Sequence, residues 1–129
     1  MEKPHRKLIA WQKSMDLTTL VYQLTEKFPR TEQYGLTSQM RRAAVSIPSN
    51  LAEGAARKGL KEFEQFLHIA RGSLSELDTQ LEVACRVGYL TRSDLKTIEE
   101  LLPDVDRLLN GLLKKQVEFR KRMEGRHKT

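Results

Sequence analysis

The stretch Gln39-Met-Arg-Arg-Ala-Ala-Val-Ser-Ile-Pro-Ser-Asn-Leu-Ala-Glu-Gly54 constrains the fold of this 129-residue chain more than any other. Its apolar residues Met40, Ala43, Ala44, Ile47 and Leu51 recur at helical spacing, and the phase runs on across Pro48. A proline inside a helix deletes one N–H donor and crowds the carbonyl four residues back, here that of Ala44. Small residues fill most of the remaining positions. Such a helix is poor in isolation and makes sense only when pressed closely against others. The pattern predicts a helix from Leu36 to Ala55, kinked near Ala44, with Ser46 and Ser49 as donors to the freed carbonyls. Two helices broken at Ile47-Pro48 are the other reading that these residues allow.

Three more periodic segments surround it. Leu17, Leu20, Val21, Leu24 and Phe28 form one stripe, extended upstream by Trp11 and Met15, and Pro29 ends it. Phe63, Leu67, Ala70, Leu74, Leu77, Leu81 and Ala84 follow an unbroken heptad alternation, with Gly88 placed as a left-handed C-terminal cap. Thr91 and Asp94 open a fourth helix as a cap pair. Its stripe is Leu95, Ile98, Leu102, Val105, Leu109 and Leu112, with Pro103 predicting a second bend. No strand alternation, repeat or low-complexity tract appears. The expectation is a single domain over residues 1–129: an all-α, antiparallel, up-down-up-down four-helix bundle with a kinked second helix and a long fourth helix. At 1.5 Å per residue the fourth helix is about 50 Å long and the first about 30 Å. The fourth should therefore overhang.

That overhang is where the charge lies. Residues 114–129 hold seven basic side chains against Glu118 and Glu124, while residues 1–113 carry 16 basic and 15 acidic ones. A nearly neutral fold thus ends in a basic extension of the fourth helix, residues 114–129, expected either helical or frayed. Lys114, Lys115, Arg120, Lys121, Arg122, Arg126 and Lys128, helped by Arg6 and Lys7, are the candidate nucleic-acid-binding residues. Cations in series neutralise phosphates and give salt-dependent affinity with little reading of sequence, on RNA or DNA alike. A solvated tail that only aids solubility is the competing reading.

Catalytic chemistry is thin. His5, His68 and His127 lie in three different regions, and only His68 sits within a periodic helix. A di-iron bundle site needs Glu-x-x-His on two helices plus two further Glu; the residue three before His68 is Gln65, so no metal and no cofactor are expected. The single cysteine, Cys85, forms no internal disulfide and fits a reducing compartment. Met1–Lys7 is charged and leads into only a short apolar segment, and no run approaches the roughly 20 apolar residues of a membrane span. A cytoplasmic, non-enzymatic protein without membrane contact is expected.

A polar row accompanies the core face of the second helix. Arg42, Ser46, Asn50 and Glu53 share one strip, with Ser73 and Glu76 as candidate partners on the third helix. It reads either as a half-buried structural network linking helices or subunits, or as a ligand surface. Behind it, Ser38, Val45, Ala52 and Ala56 make an unusually small-residue back face that permits close approach of a second subunit. Trp11, Tyr34 and Tyr89 are candidate interface anchors.

The pattern Trp11, Leu17, Tyr22, Phe28-Pro29, Tyr34-Gly35-Leu36 and the whole block 39–54, continued by Phe63, Phe66-Leu67, Ala70 to Ser73, Glu76-Leu77 and Gly88-Tyr89-Leu90, resembles the bacterial four-helix-bundle family encoded in 23S rRNA intervening sequences, also described as S23-type. The accessory variability determinant of diversity-generating retroelements is a more distant likeness. The resemblance spans about residues 8–113. It implies a homopentameric bundle that binds nucleic acid, RNA above all, and carries no catalytic residues; the retroelement relative implies, alternatively, a protein-interaction scaffold or accessory partner of a reverse transcriptase. Gly59 departs from the Ser or Thr usual before the third helix, so side-chain capping is lost there. The basic end lies outside the resemblance.

Overall fold

The computed structural model describes residues 3–127, with His127 by its backbone alone. Among these residues there are four α-helices and no strand: α1 (Ile9–Thr25), α2 (Leu36–Ala56), α3 (Leu60–Arg86) and α4 (Lys96–His127). Short 3-10 helices at Pro4–Lys7 and Arg30–Glu32 precede α1 and α2. Consecutive helices pack side by side and α1 closes against α4, while the diagonal pairs stay apart. Thr18 meets Ala44 and Thr25 meets Arg41, Ser46 meets Ser73 and Gly54 lies against Phe63, and Lys13 meets Asp104 and Lys27 meets Asp94, so residue numbers rise on one helix as they fall on its neighbour. That is the up-down-up-down bundle.

The four stripes meet in one core. Leu17, Val21, Met40, Ala44, Ile47, Leu51, Leu67, Ala70, Leu77, Ala84, Val105 and Leu109 are fully buried. The α3 seam is buried throughout except for half-buried Phe63. On α1 the buried face differs from the expected stripe. Met15 is exposed, and Ser14, Thr18 and Thr25 lie inside instead. Their hydroxyls bond back to Trp11, Ser14 and Val21 carbonyls at 2.8 to 2.9 Å, which lets polar side chains enter a core at little cost.

Helix α2 runs unbroken through Pro48, so the two-helix alternative is not taken. The carbonyl that Pro48 leaves without its donor belongs to Ala44. It is reached from α1: the Thr18 hydroxyl lies 3.1 Å from the Ala44 oxygen and 2.8 Å from that of Ser14, one proton shared between two acceptors. The expected donors Ser46 and Ser49 do not serve. Ser46 Oγ faces α3, and Ser49 is exposed. A defect inside one helix is thus closed by its neighbour.

The connections follow local chemistry. Gly88 has φ +85°, and Tyr89 N–H to Ala84 and Gly88 N–H to Cys85 form the paired bonds of a Schellman cap. Thr91 and Asp94 bond reciprocally, backbone N–H to side chain, at 2.8 and 3.1 Å. The box closes a leading turn, and α4 itself begins at Lys96. Gly59 occupies the N-cap of α3 with no side-chain cap bond. Gly54 is buried where α2 meets α3, and a Cβ there would lie 2.6 Å from the Phe63 ring and 3.0 Å from Phe66 Cβ.

Candidate nucleic-acid interface

Helix α4 is continuous through the described part of the basic segment, to His127. Its 32 residues measure about 48 Å against about 26 Å for the 17 of α1. It passes the start of α1, as its length requires, but it is not alone there. Gln116 donates to the Leu60 carbonyl at 3.3 Å, and Arg120 bonds Glu64 at 2.5 Å. The first turns of α3 therefore accompany the overhang.

This divides the predicted cations. Arg120 is a correction to the phosphate-binding set: its guanidinium is largely covered and engaged by Glu64 on α3 and Glu124 on its own helix. The bond to Glu64, then that to Glu124, pushes its pKa further above an already high value. It fastens α4 to α3. Lys114, Lys115, Lys121, Arg122 and Arg126 are exposed. At 3.6 residues per turn they occupy an arc of about 140° on the side away from Arg120. Glu118, also exposed, sits within that arc and lowers its charge. Lys128 lies outside the described residues.

Arg6 and Lys7 come to the same end. The Pro4–Lys7 turn folds over Trp11, with Arg6 5.3 Å above the indole and His5 edge-on at 5.0 Å. Gln12 donates to the Arg6 carbonyl and holds the turn. Lys7, Arg107 and Lys115 border one open groove of about 330 Å³ floored by Leu8, Ile9, Ala10, Leu108, Gly111 and Leu112. Arg107 is also paired with Asp104 at 3.0 Å. Charge clustering along the sequence does not single it out, because it joins Lys7 only when α1 and α4 are antiparallel.

The polar network forms in part. Ser73 donates to Ser46 Oγ at 2.8 Å, and Asn50 Nδ2 donates to Ser46 Oγ and to its carbonyl at 2.9 and 2.7 Å. These three residues tie α2 to α3. Three expected members are not in it. Arg42 is exposed and, among the described residues, bonds to no neighbouring helix. Glu53 pairs with Arg57 on its own helix, and exposed Glu76 accepts from Gln80 one turn on. The strip winds out of the α2–α3 seam at its ends, so equal spacing does not give equal burial.

Among the anchor candidates, Trp11 is half-buried under the N-terminal turn. Tyr89 packs on Phe28 and donates to Glu32 at 2.8 Å, which raises the phenol's pKa. Tyr34 is 91% exposed. Among the described residues no His, Cys, Asp and Glu side chains gather as a metal-ligand set, and no helix is long and apolar enough to cross a membrane.

The family model of the 23S rRNA-intervening sequence protein matches residues 6–111. The chain belongs to that family. Its fold is also that of a solved protein of unknown function from the S23 ribosomal protein family of Bacteroides thetaiotaomicron, at 22% identity and a TM-score of 0.73, covering 82% of this chain and 99% of the other. No curated protein matches. The match to the 23S rRNA-intervening sequence family ends just before the cationic arc, so residues 114–127 lie outside the matched region. Arg6, Lys7 and Arg107 fall inside it.

Proposed function

We propose that this member of the 23S rRNA-intervening sequence family is a non-catalytic, oligomeric RNA-binding bundle of the bacterial cytoplasm, assembled as a homopentamer. The observation that carries the reading is the arc of exposed cations on the last turns of α4, joined across the groove by Lys7 and Arg107. Cations held on a helix meet phosphates without first being ordered. The family's name ties its members to an rRNA sequence and favours RNA over DNA.

Self-assembly is supported by the outer side of α2. Val45, Pro48, Ser49 and Ala52, with Trp11 and Met15 of α1, line a shallow, largely apolar groove of about 290 Å³. Small side chains there allow another helix to approach closely. Assembly multiplies a modest patch, because each further phosphate is met at high effective concentration.

The test is truncation after residue 113, with RNA and DNA titrated at two salt concentrations and mass read by light scattering. Loss of the arc lowers RNA affinity and flattens the salt dependence, by about 0.7 in slope for each single-strand phosphate no longer neutralised. Unchanged affinity and slope in the truncated protein would refute the assignment.

A further inference from the structure

At the opposite end of the bundle, where α1 finishes and α2 begins, lies a surface that charge counting passes over. Tyr22, Gln33, Tyr34, Thr37, Ser38, Arg41, Arg42 and Val45 line an open groove of about 510 Å³ with no carboxylate in its lining. Two of its parts are fixed in place. The Arg41 guanidinium lies 4.5 Å from the centre of the Tyr22 ring, and its Nε donates to Thr25 Oγ1 at 2.9 Å. Tyr34 stands almost wholly exposed on a pinned turn. There Gly35 N–H reaches the Glu32 carbonyl at 3.0 Å. The Glu32 carboxylate accepts from Leu36 N–H at 3.1 Å and from the Tyr89 hydroxyl at 2.8 Å. Arg42, beside them, is exposed and has no acidic partner among the described residues.

We infer that this groove binds unstacked bases of a single-stranded RNA, one on the Tyr34 ring and one on the Arg41 guanidinium plane, with Arg42 on the intervening phosphate. The inference rests on the RNA-binding reading and adds a second site to it. Aromatic rings and guanidinium planes are the surfaces on which splayed bases stack, and Gln33, Thr37 and Ser38 supply donors and acceptors for base edges. A duplex keeps its base faces covered and offers only phosphates. A second copy of the chain is the weaker occupant of this groove: it shares only Val45, its one aliphatic side chain, with the assembly groove, and two arginines without a carboxylate fit a polyanion better.

The test uses the full chain and a fluorescent single-stranded 12-nucleotide RNA beside its duplex, at 0.15 M salt. Tyr34→Ala weakens single-strand binding about tenfold, within the range set by one base–aromatic stack. It leaves duplex binding and the salt slope unchanged. Tyr34→Phe, which keeps the ring, binds as the parent does. Arg42→Ala lowers the slope by about 0.7. Equal single-strand affinity of Tyr34→Ala and parent overturns the site, and so does a Tyr34→Ala protein whose assembly mass falls while its affinity per protomer holds. A parent chain that binds neither RNA overturns this site and the RNA-binding reading together; a parent that binds while Tyr34→Ala changes nothing overturns this site alone.

Discussion

Replacing Thr18 by Val tests whether one helix repairs a fault in another. Val keeps the shape of Thr and removes the hydroxyl. The Ser14 carbonyl loses only a supplementary donor, since the ordinary helical N–H remains. The Ala44 carbonyl has no such reserve, because its ordinary donor would be the backbone nitrogen of Pro48. Ala44 is wholly buried, so its carbonyl is left without water as well. An orphaned buried acceptor costs about 1–3 kcal/mol, and part is returned by the added methyl, so a loss of about 1–2 kcal/mol is expected. With a urea slope of about 1–3 kcal/mol/M, the midpoint falls by roughly 0.3–2 M. The decisive measurement is the double-mutant cycle with Pro48→Ala, read by circular dichroism at fixed protomer concentration. The Pro48→Ala change restores the N–H, and in that background Thr18→Val should cost less than about 0.5 kcal/mol. Equal losses in both backgrounds would show that Thr18 stabilises the bundle by something other than the Ala44 bond.

Two further outcomes follow from the packing and the ion pairs. Gly54→Val should destabilise by about 2 kcal/mol or more, because Phe66 Cβ is fixed to its backbone and cannot rotate away from the new side chain; melting within about 0.5 kcal/mol of the parent would contradict the close approach of α2 and α3. Lys27, then the Thr91 N–H, hold the Asp94 carboxyl at about 2 against an ordinary 3.8. Arg92 and Arg86 do the same for Glu82, at about 2 against 4.5. Depressed carboxyls stabilise the fold above their unfolded pKa, and that stability is lost as pH falls through the folded one. Stability should therefore fall between about pH 4.5 and 2. Asp94→Asn should lose less than the parent over that interval in denaturant titrations at each pH, and parallel curves would remove the claim.

What the sequence makes legible is whatever depends on neighbours along the chain. The heptad seam of α3 and the Gly88 cap are local chemistry, and each is found at its expected residues; the Thr91–Asp94 bonds also form, but they close a turn ahead of α4 and do not cap it. The phase across Pro48 correctly favours one helix over two. The donor to Ala44 was not legible, because Thr18 lies 26 residues away and meets it only through the α1–α2 register. The same holds for Arg120. In a run of cations it looks like its neighbours, and only the α3–α4 register places Glu64 against it. The polar row failed at its ends for a related reason: periodicity says which residues share a face, and not how far the facing helix extends along it.

The two candidate surfaces differ in what they owe to the chain. The cationic arc follows from composition and lies beyond the family match, so on the proposed reading its removal leaves the matched bundle and takes away most of the salt-dependent attraction. The Tyr34 groove lies inside the match and owes its form to tertiary structure, since Tyr22 and Arg41 meet only across α1 and α2. The surfaces stand at opposite ends of the bundle, well beyond the distance of about 7–10 Å within which substitutions couple. Their contributions should therefore be separable. Truncation of the arc changes how affinity depends on salt, whereas Tyr34 substitution changes affinity equally at every salt concentration. A strand held at both ends would be gripped by charge at one and by stacking at the other, with the pinned turn at Glu32 setting where its bases are read.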